Sequence, residues 1–367
     1  MRVVLTGGGT AGHINPALAL AEVLADRGVE TSYAGTPNGV EARLVPLAGV
    51  DFVSFEAAGF DRAKPWTLFT SSLKILKSAG KAKKWLRSIS ASVVVGFGGY
   101  VSLPVCRAAS QLGIPVVVHE QNSVMGMANK QISKNAAATC LTYAVAEEGT
   151  NARNCVVTGN PVRKKVVEAT REEGRAMLGI PDDALMLLVF GGSLGARHIN
   201  EGICAMKDEL LSHDDLYVVH ITGPKELETV EEALCLTDSE KKRWRVMGYQ
   251  DRMGETLAAA DAIVSRAGAT SLAEISARAI PALLVPFPYA TADHQTTNAR
   301  AYVDAGCAKM IADDQVGTSR FKELVCSLVE DRGLRESMAA AARRQETADA
   351  GNRLADQVLA AAAGKRE

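Results

Sequence analysis

His13 stands at the end of a glycine-rich loop, Gly7-Gly8-Gly9-Thr10-Ala11-Gly12, which follows the strand-like run Val3-Val4-Leu5-Thr6. An alanine- and leucine-rich helical stretch, Ala17 to Leu24, comes next. Backbone carrying so little side chain can wrap an anion, and the start of a helix adds free N–H groups and a positive dipole end. An imidazole at such a helix mouth can remove a proton from a sugar hydroxyl near neutral pH. The theme recurs. Gly96-Phe97-Gly98-Gly99-Tyr100 follows Val93–Val95, and Gly191-Gly192-Ser193-Leu194-Gly195 follows Val189-Phe190. Gly268-Ala269-Thr270-Ser271 comes just after Ala262–Ser265. Each is a strand, a loop of small residues and a helix start, which suits a phosphate or diphosphate.

Other polar clusters sit at strand ends. Val116-Val117-Val118 runs straight into His119-Glu120-Gln121-Asn122, where a sheet presents hydrogen-bonding groups to a ligand; Asn122 is the stronger candidate and Glu120 reads as structural. Glu274 lies about one helical turn past Thr270, placed for a bidentate contact to vicinal ribose hydroxyls. Pro286-Phe287-Pro288-Tyr289 ends a strand sharply, and Asp293-His294-Gln295 with Asn298 offers donors and acceptors for sugar hydroxyls. No D-x-D occurs, so no motif marks a metal bridging a diphosphate. Helix starts and backbone N–H groups are then expected to stabilise a leaving phosphate, with no metal and no cofactor.

The elements that must position these groups follow from length and pattern. A chain of 367 residues has two domains as its natural prior. Short apolar runs alternate with helical stretches. In the first half the expected strands are 3–6, 31–34, 51–55, 92–95, 116–119, 139–142 and 155–158. In the second they are 186–190, 217–222, 244–249, 262–265, 282–285 and 309–311. Continuous Val/Leu/Ile runs indicate strands covered on both faces, hence parallel sheets with right-handed crossovers. A domain boundary is expected near Gly159-Asn160-Pro161, followed by a helix from Lys164 to Gly179. The alanine-rich tail, Leu334 to Ala363, reads as helix. Two halves of one layout suggest a ligand held in a cleft between them.

Net charge is −1 and no nucleic-acid-binding motif is present, so nucleic acid is not an expected partner. The seven cysteines are scattered without a C-x-x-C pair, which points to reduced thiols. The N-terminus opens directly on a strand, so no signal peptide is expected, and no apolar stretch approaches the roughly 20 residues of a spanning helix. Charge distribution is more telling. From Arg62 to His119 there is no acid, while the segment 62–107 carries Arg62, Lys64, Lys74, Lys77, Lys81, Lys83, Lys84, Arg87 and Arg107. Trp66, Leu68, Phe69, Leu73, Ile75, Leu76, Trp85 and Leu86 interleave with these. Basic groups beside exposed-looking aromatics fit a helix lying on an anionic membrane surface.

Taken in order, GGGTAGHINPALA, GFGGYVSLP, HEQN, TGNPVR, FGGSLGAR, SRAGATSLAEI, PALLVPFP and DHQTTNA resemble the MurG family nearly end to end. These are the UDP-N-acetylglucosamine:lipid-linked muramyl-pentapeptide N-acetylglucosaminyltransferases of bacterial peptidoglycan synthesis. The resemblance implies an α/β fold of the GT-B type, two Rossmann-like domains with parallel sheets facing across a cleft. It implies an N-terminal domain over 1–160 on the lipid-acceptor and membrane side, a UDP-GlcNAc domain over 161–340, and a C-terminal helix over 341–367 packing back toward the first domain. By the same resemblance UDP-GlcNAc meets Thr10, Ala11, Gly12, Asn122, Arg163, Ser193, Gln250, Gly268, Ala269, Thr270, Ser271, Glu274 and Gln295. The acceptor diphosphate meets Gly9, Gly98, Gly99 and Tyr100, and His13 is the catalytic base. The implied partners are UDP-GlcNAc, undecaprenyl-linked muramyl-pentapeptide and the cytoplasmic face of the cell membrane, held peripherally. The chain departs from the family pattern at Gln250, where members carry isoleucine, and in the GATSLAE segment. Two other enzymatic readings remain, a non-hydrolysing UDP-GlcNAc epimerase, which shares this architecture, and a sugar transferase to another lipid; a non-enzymatic UDP-sugar sensor needs only one half's pocket and leaves Gly96–Gly99 and His13 unexplained.

Overall fold

The computed structural model describes residues 1–56, 67–192, 195–345 and 349–364, with the side chains of 67–77 excepted. The chain divides into two compact units, one of Met1–Arg163 with Ala348–Glu367 and one of Lys164–Thr347.

The first unit carries a parallel sheet of seven strands: β1 (Arg2–Thr6), β2 (Glu30–Gly35), β3 (Asp51–Ser54), β4 (Val93–Gly96), β5 (Val116–Glu120), β6 (Ala138–Leu141) and β7 (Cys155–Val157). Their order across the sheet is β3-β2-β1-β4-β5-β6-β7. Alternate residues of one strand enter two different cores. Val3 and Leu5 join Val93, Val95 and Val117 against Ile14, Leu18 and Leu24 of the helix Ala11–Asp26. Val4, Val94 and Val116 point the other way, onto Ala82, Leu86, Val105 and Ala109. Both faces are buried, so the strands need apolar residues at every position rather than at every second one. Each such valine or leucine contributes about 1.5–3 kcal/mol on burial. The C-terminal helix Ala350–Ala363 also belongs to this unit, adding Leu354, Ala355 and Val358 to the first core. Arg353 donates to the Thr158 carbonyl at 3.1 Å, and Arg27 pairs with Asp356 at 2.6 Å.

The second unit repeats the plan with six parallel strands: β8 (Leu185–Phe190), β9 (Leu216–Ile221), β10 (Trp244–Met247), β11 (Ala262–Ser265), β12 (Ala282–Leu284) and β13 (Ala308–Met310), in the order β10-β9-β8-β11-β12-β13. Leu187, Val189, Val264 and Leu283 pack on Ile199, Ile203, Phe321 and Leu328. Met186, Leu188, Ile263 and Leu284 fill the opposite face and are fully buried.

Both sheets reverse their strand order at one place, between β1 and β4 and between β8 and β11. Such a switch point leaves a crevice outside the carboxyl ends of its two strands. Register puts Thr6 beside Gly96 in one sheet and Phe190 beside Ser265 in the other. The paired glycine loops therefore leave each sheet side by side at its switch point.

Two expected helices are broken. The stretch from Lys164 to Gly179 is two helices, Lys164–Val167 and Arg171–Leu178. Thr170 starts the second with a capping box: its hydroxyl accepts from Glu173 N–H at 3.2 Å, and Glu173 accepts from Thr170 N–H at 3.1 Å. The tail from Leu334 to Ala363 is also two, Arg332–Arg343 and Ala350–Ala363. Met338, Ala341 and Ala342 are buried in the second unit, whereas Leu354, Ala355 and Val358 are buried in the first. Burial in separate cores overrides a helical propensity that runs through both.

Candidate functional site

In the first unit the two loops at the switch point lock together. Gly99 has φ +80°, and a Cβ there would stand 2.4 Å from the Gly8 carbonyl oxygen. Only glycine gives both the left-handed backbone and the close approach. The Ser102 hydroxyl donates within this junction, 2.7 Å from the Gly98 carbonyl and 3.1 Å from that of Thr6. Phe97 N–H donates to the same Thr6 carbonyl at 2.8 Å. Buried Tyr33 donates its hydroxyl to Gly7 O at 3.1 Å, and burial pushes its pKa upward, so it stays a donor. The helices that follow, Ala11–Asp26 and Ser102–Gln111, have no side-chain N-cap and no acid in their first turns.

His13 sits in the first turn of the former helix. Its Nδ1 lies 2.8 Å from the Gly8 carbonyl oxygen. A carbonyl only accepts, so Nδ1 carries a proton, and in the neutral ring the lone pair is on Nε2. That Nε2 faces Gly98, where a Cβ would fall 3.1 Å away. The Thr10 hydroxyl is 3.4 Å from Nδ1. The structure thus brings His13, Thr10, Gly98 and Gly99 together and presents the Nε2 side of an oriented imidazole beside a glycine. Tyr100 is 54% exposed at the same loop.

The polar run after β5 divides into two roles. Glu120 is buried and its carboxylate closes the loop that follows, accepting from Asn122 N–H at 3.0 Å, Gly126 N–H at 3.0 Å and the Asn129 amide at 2.8 Å. Asn129 was not singled out from sequence; no periodicity or motif distinguishes it. His119 is fully buried: Nε2–H donates to Gly159 O at 3.0 Å, and Nδ1 accepts from Gln121 at 3.1 Å. Burial lowers its pKa to about 4, so it is a neutral tie rather than a proton carrier. Arg163 holds Glu22 of the helix Ala11–Asp26 through Nε at 2.5 Å.

In the second unit the helices after the switch-point loops, Arg197–Cys204 and Ala269–Ala277, again lack a side-chain N-cap and any acid in the first turn. Elsewhere in this unit, the helix starts at Arg171, Ser319 and Arg332 are capped by Thr170, Thr318 and Asp331. The helix starts at the switch point thus carry neither a side-chain N-cap nor a first-turn acid, which suits an anion. Gly268 is the N-cap of the helix that carries Ala269, Thr270, Ser271 and Glu274. Gln295 is fixed in orientation: its Oε1 accepts from Ala267 N–H at 3.1 Å and from Phe287 N–H at 3.0 Å. Its amide nitrogen is thereby left as the outward group, a donor. Gln250 turns its side chain onto its own loop, accepting from Arg252 N–H at 2.9 Å. Ser193 lies outside the described residues.

Sequence reading missed Arg266 and Asp313. Arg266 donates to the Val285 and Pro286 carbonyls at 3.1 Å and pairs with Asp313 at 2.5 Å. It also lies 5.5 Å from the Phe287 ring centroid. It pins the loop after β12 next to the helix start at Ala269. Among the described residues no three His, Cys, Asp or Glu side chains group to hold a metal, all seven cysteines are free, and no helix is long and apolar enough to cross a membrane.

One expectation on the basic segment is corrected. Trp85 and Leu86 are not exposed aromatic and apolar groups among lysines: Leu86 is buried, and Trp85 packs on Phe55 with ring centroids 5.5 Å apart. Lys81, Lys84 and Arg87 form an exposed stripe on the same helix, Thr67–Ser88. Residues 57–66 and the side chains of 67–77, with Trp66 and Phe69, lie outside the described residues.

Two doubly wound parallel units, each with paired small-residue loops at its switch point, define the class when joined to one further finding. Residues 3–141 match the glycosyltransferase family 28 N-terminal domain and residues 186–354 its C-terminal domain, so the chain is a glycosyltransferase with the GT-B fold. A UDP-N-acetylglucosamine--N-acetylmuramyl-(pentapeptide) pyrophosphoryl-undecaprenol N-acetylglucosamine transferase from Halothermothrix orenii is 40% identical over 94% of each chain. The protein of that name from Leuconostoc citreum is 38% identical over the whole of both. The crystal structure of Acinetobacter baumannii MurG superposes with a TM-score of 0.75 at 29% identity, covering 98% of this chain and 99% of that one. The chain belongs to the MurG family of N-acetylglucosamine transferases.

Proposed function

We propose that the protein transfers N-acetylglucosamine from UDP-GlcNAc to the muramyl sugar of undecaprenyl-pyrophosphoryl-MurNAc-pentapeptide, converting lipid I to lipid II. The observation that carries the mechanism is the fixed tautomer of His13, with Nδ1–H bound to the Gly8 carbonyl at 2.8 Å and Nε2 presented beside Gly98. A sugar hydroxyl is a poor nucleophile and needs a base as its bond to the anomeric carbon forms. In this reading Nε2 takes that proton, the hydroxyl attacks opposite the departing UDP, and the anomeric configuration inverts.

The second unit receives the donor. The helix starts at Ala269 and Arg197 meet the growing charge on the UDP oxygens. Gly268, Ala269, Thr270, Ser271 and Ser193 supply donors there, Glu274 takes the ribose hydroxyls, and the Gln295 amide N–H donates to the sugar. Gln250 contacts uracil through its backbone, a role consistent with its side chain being occupied within its own loop. Thr10, Ala11, Gly12, Asn122 and Arg163 complete the donor contacts from the first unit. Gly9, Gly98, Gly99 and Tyr100 receive the acceptor diphosphate. The exposed stripe Lys81, Lys84 and Arg87 supports peripheral binding of the segment 62–107 to anionic lipid on the cytoplasmic face of the membrane.

UDP release is measured with UDP-GlcNAc alone and with the lipid-linked muramyl-pentapeptide in vesicles of anionic phospholipid. Release that depends on the acceptor, with formation of the disaccharide lipid, is expected. Conversion of UDP-GlcNAc to an epimer without acceptor would overturn the reading. Vesicle co-sedimentation tests the membrane contact: Lys81→Glu, Lys84→Glu and Arg87→Glu together should release the protein, and retention would reject this stripe as the contact.

A further inference from the structure

Glu41 opens the short helix Glu41–Leu47 and is fully buried. Its carboxylate lies directly beneath the first glycine loop. Oε2 accepts from Gly9 N–H at 3.3 Å, while Oε1 accepts from Thr36 N–H at 3.0 Å and from the Thr36 hydroxyl at 2.6 Å. Among the described residues these partners are neutral, and no lysine or arginine forms an ion pair with it. A carboxylate buried without a cation is costly. Such a group persists where function depends on it rather than stability.

The chain makes room for it at three separate places. A Cβ on Gly8 would fall 2.5 Å from Oε1, one on Gly39 would fall 2.3 Å from each oxygen, and one on Gly35 would fall 2.6 Å from the Glu41 Cγ. Glycines of the loop after β1, of the end of β2 and of the turn before the Glu41 helix thus converge on one carboxylate.

The Gly9 N–H that Glu41 accepts and the Gly8 carbonyl that receives His13 Nδ1–H belong to the same peptide unit. That unit is trans, so its N–H and C=O point in opposite directions. The carboxylate stands at one end and the imidazole at the other. We infer that Glu41 is the positioning residue for His13, acting through the Gly8–Gly9 peptide unit: its charge aligns and polarises that unit, which holds His13 with Nδ1 protonated and Nε2 open. Hydrogen bonds in a chain reinforce one another, so a negative charge at the N–H end strengthens the carbonyl as an acceptor. The same carbonyl steadies the imidazolium that forms when Nε2 takes a proton. The inference rests on His13 being the base, but the tautomer is a property of the protein alone.

The test has two arms. Long-range proton–nitrogen NMR of the histidine-labelled protein reads the His13 tautomer directly, without substrate. Nδ1–H is expected in the wild type, and an Nε2–H wild type overturns the inference whether or not any variant folds. Glu41→Gln retains the shape but loses the charge, and Glu41→Asp retains the charge but shortens the reach. Glu41→Gln should mix the two tautomers and lower kcat roughly 10- to 100-fold, with the Kd for UDP-GlcNAc within about twofold. Glu41→Asp should recover part of kcat. Wild-type tautomer and kcat in Glu41→Gln would sink the inference. A mixed tautomer with unchanged kcat would keep the relay and remove the base role of His13, so the two failures are distinguishable.

Discussion

Replacing Gly98 by alanine separates the chemistry of the site from its folding. Gly98 has φ +101°, and its added Cβ would stand 3.1 Å from His13 Nε2 and 3.2 Å from Cδ2. Nearly equal distances to two bonded ring atoms put the methyl against the ring across the Nε2–Cδ2 bond. Contact between such atoms is comfortable near 3.5 Å or beyond, so the imidazole must shift by about 0.4 Å. Its Nδ1 is held by Gly8 O, so the shift becomes a tilt that moves Nε2 off the acceptor's line of approach. A displacement of about 1 Å can cost roughly 100-fold in rate, so a tilt of this size should cost about tenfold in kcat. The left-handed backbone adds about 1–2 kcal/mol of destabilisation. Gly28 is the control: it has φ +69° and nothing within 4 Å of its added Cβ. It lies about 22 Å from His13, at the far end of the same helix. Gly28→Ala should lose the same stability, about 1–2 kcal/mol, and keep kcat. Urea unfolding and acceptor-dependent UDP release measure the two quantities. Equal kcat in both variants, or equal loss in both, would refute the packing argument for His13.

Gln295→Glu keeps the oxygen that Ala267 N–H and Phe287 N–H donate to but replaces the outward amide with an acceptor. Fold stability should change by less than about 1 kcal/mol while the KM for UDP-GlcNAc rises about tenfold, since the hydrogen bond that the amide donates to the sugar is lost and an acceptor takes its place; an unchanged KM would place the amide away from the donor. Stability should also fall in mild acid. Burial lowers His119 to about 4 and His220 to about 3, so both are neutral in the fold. Above the ordinary histidine value of about 6.5 neither costs anything, and below it the unfolded chain takes protons that the folded chain refuses. The loss begins near pH 6.5 and continues down to the folded values; at pH 5 it is about 2 kcal/mol for each histidine. Urea midpoints at pH 7 and pH 5 read it, and His220→Asn should remove the share of the second unit. Midpoints with the same pH dependence in the variant would contradict the assignment.

Much of this was legible in the sequence because burial on both faces forces apolar residues at every strand position. Val93–Val95 and Val116–Val118 could scarcely be anything else, and the polar run His119–Asn122 marks where β5 leaves the sheet. The glycine loops were legible as strand–helix turns, and register explains why they come in pairs. The break at Thr170 carried its own signal, a threonine three residues before Glu173, which the longer helical pattern hid. Glu41 carried none. It is one acid in a seven-residue helix, and its meaning comes from Gly8, Gly35 and Gly39, which meet only after folding. Arg266 and Asp313 are similarly 47 residues apart and pair only through the order of β11, β12 and β13. Which lysines face solvent was also beyond the pattern, because Trp85 and Leu86 choose the core by packing on neighbours distant in sequence.

The central claim is that His13, oriented by the Gly8 carbonyl, removes the proton of the acceptor hydroxyl through Nε2. His13→Ala measured for both turnover and UDP-GlcNAc binding tests it most directly. A fall in kcat of roughly 10²–10⁴-fold with donor affinity held within a few-fold is predicted. Turnover equal to the wild type, or a loss of donor binding that accounts for the whole loss of rate, would contradict it.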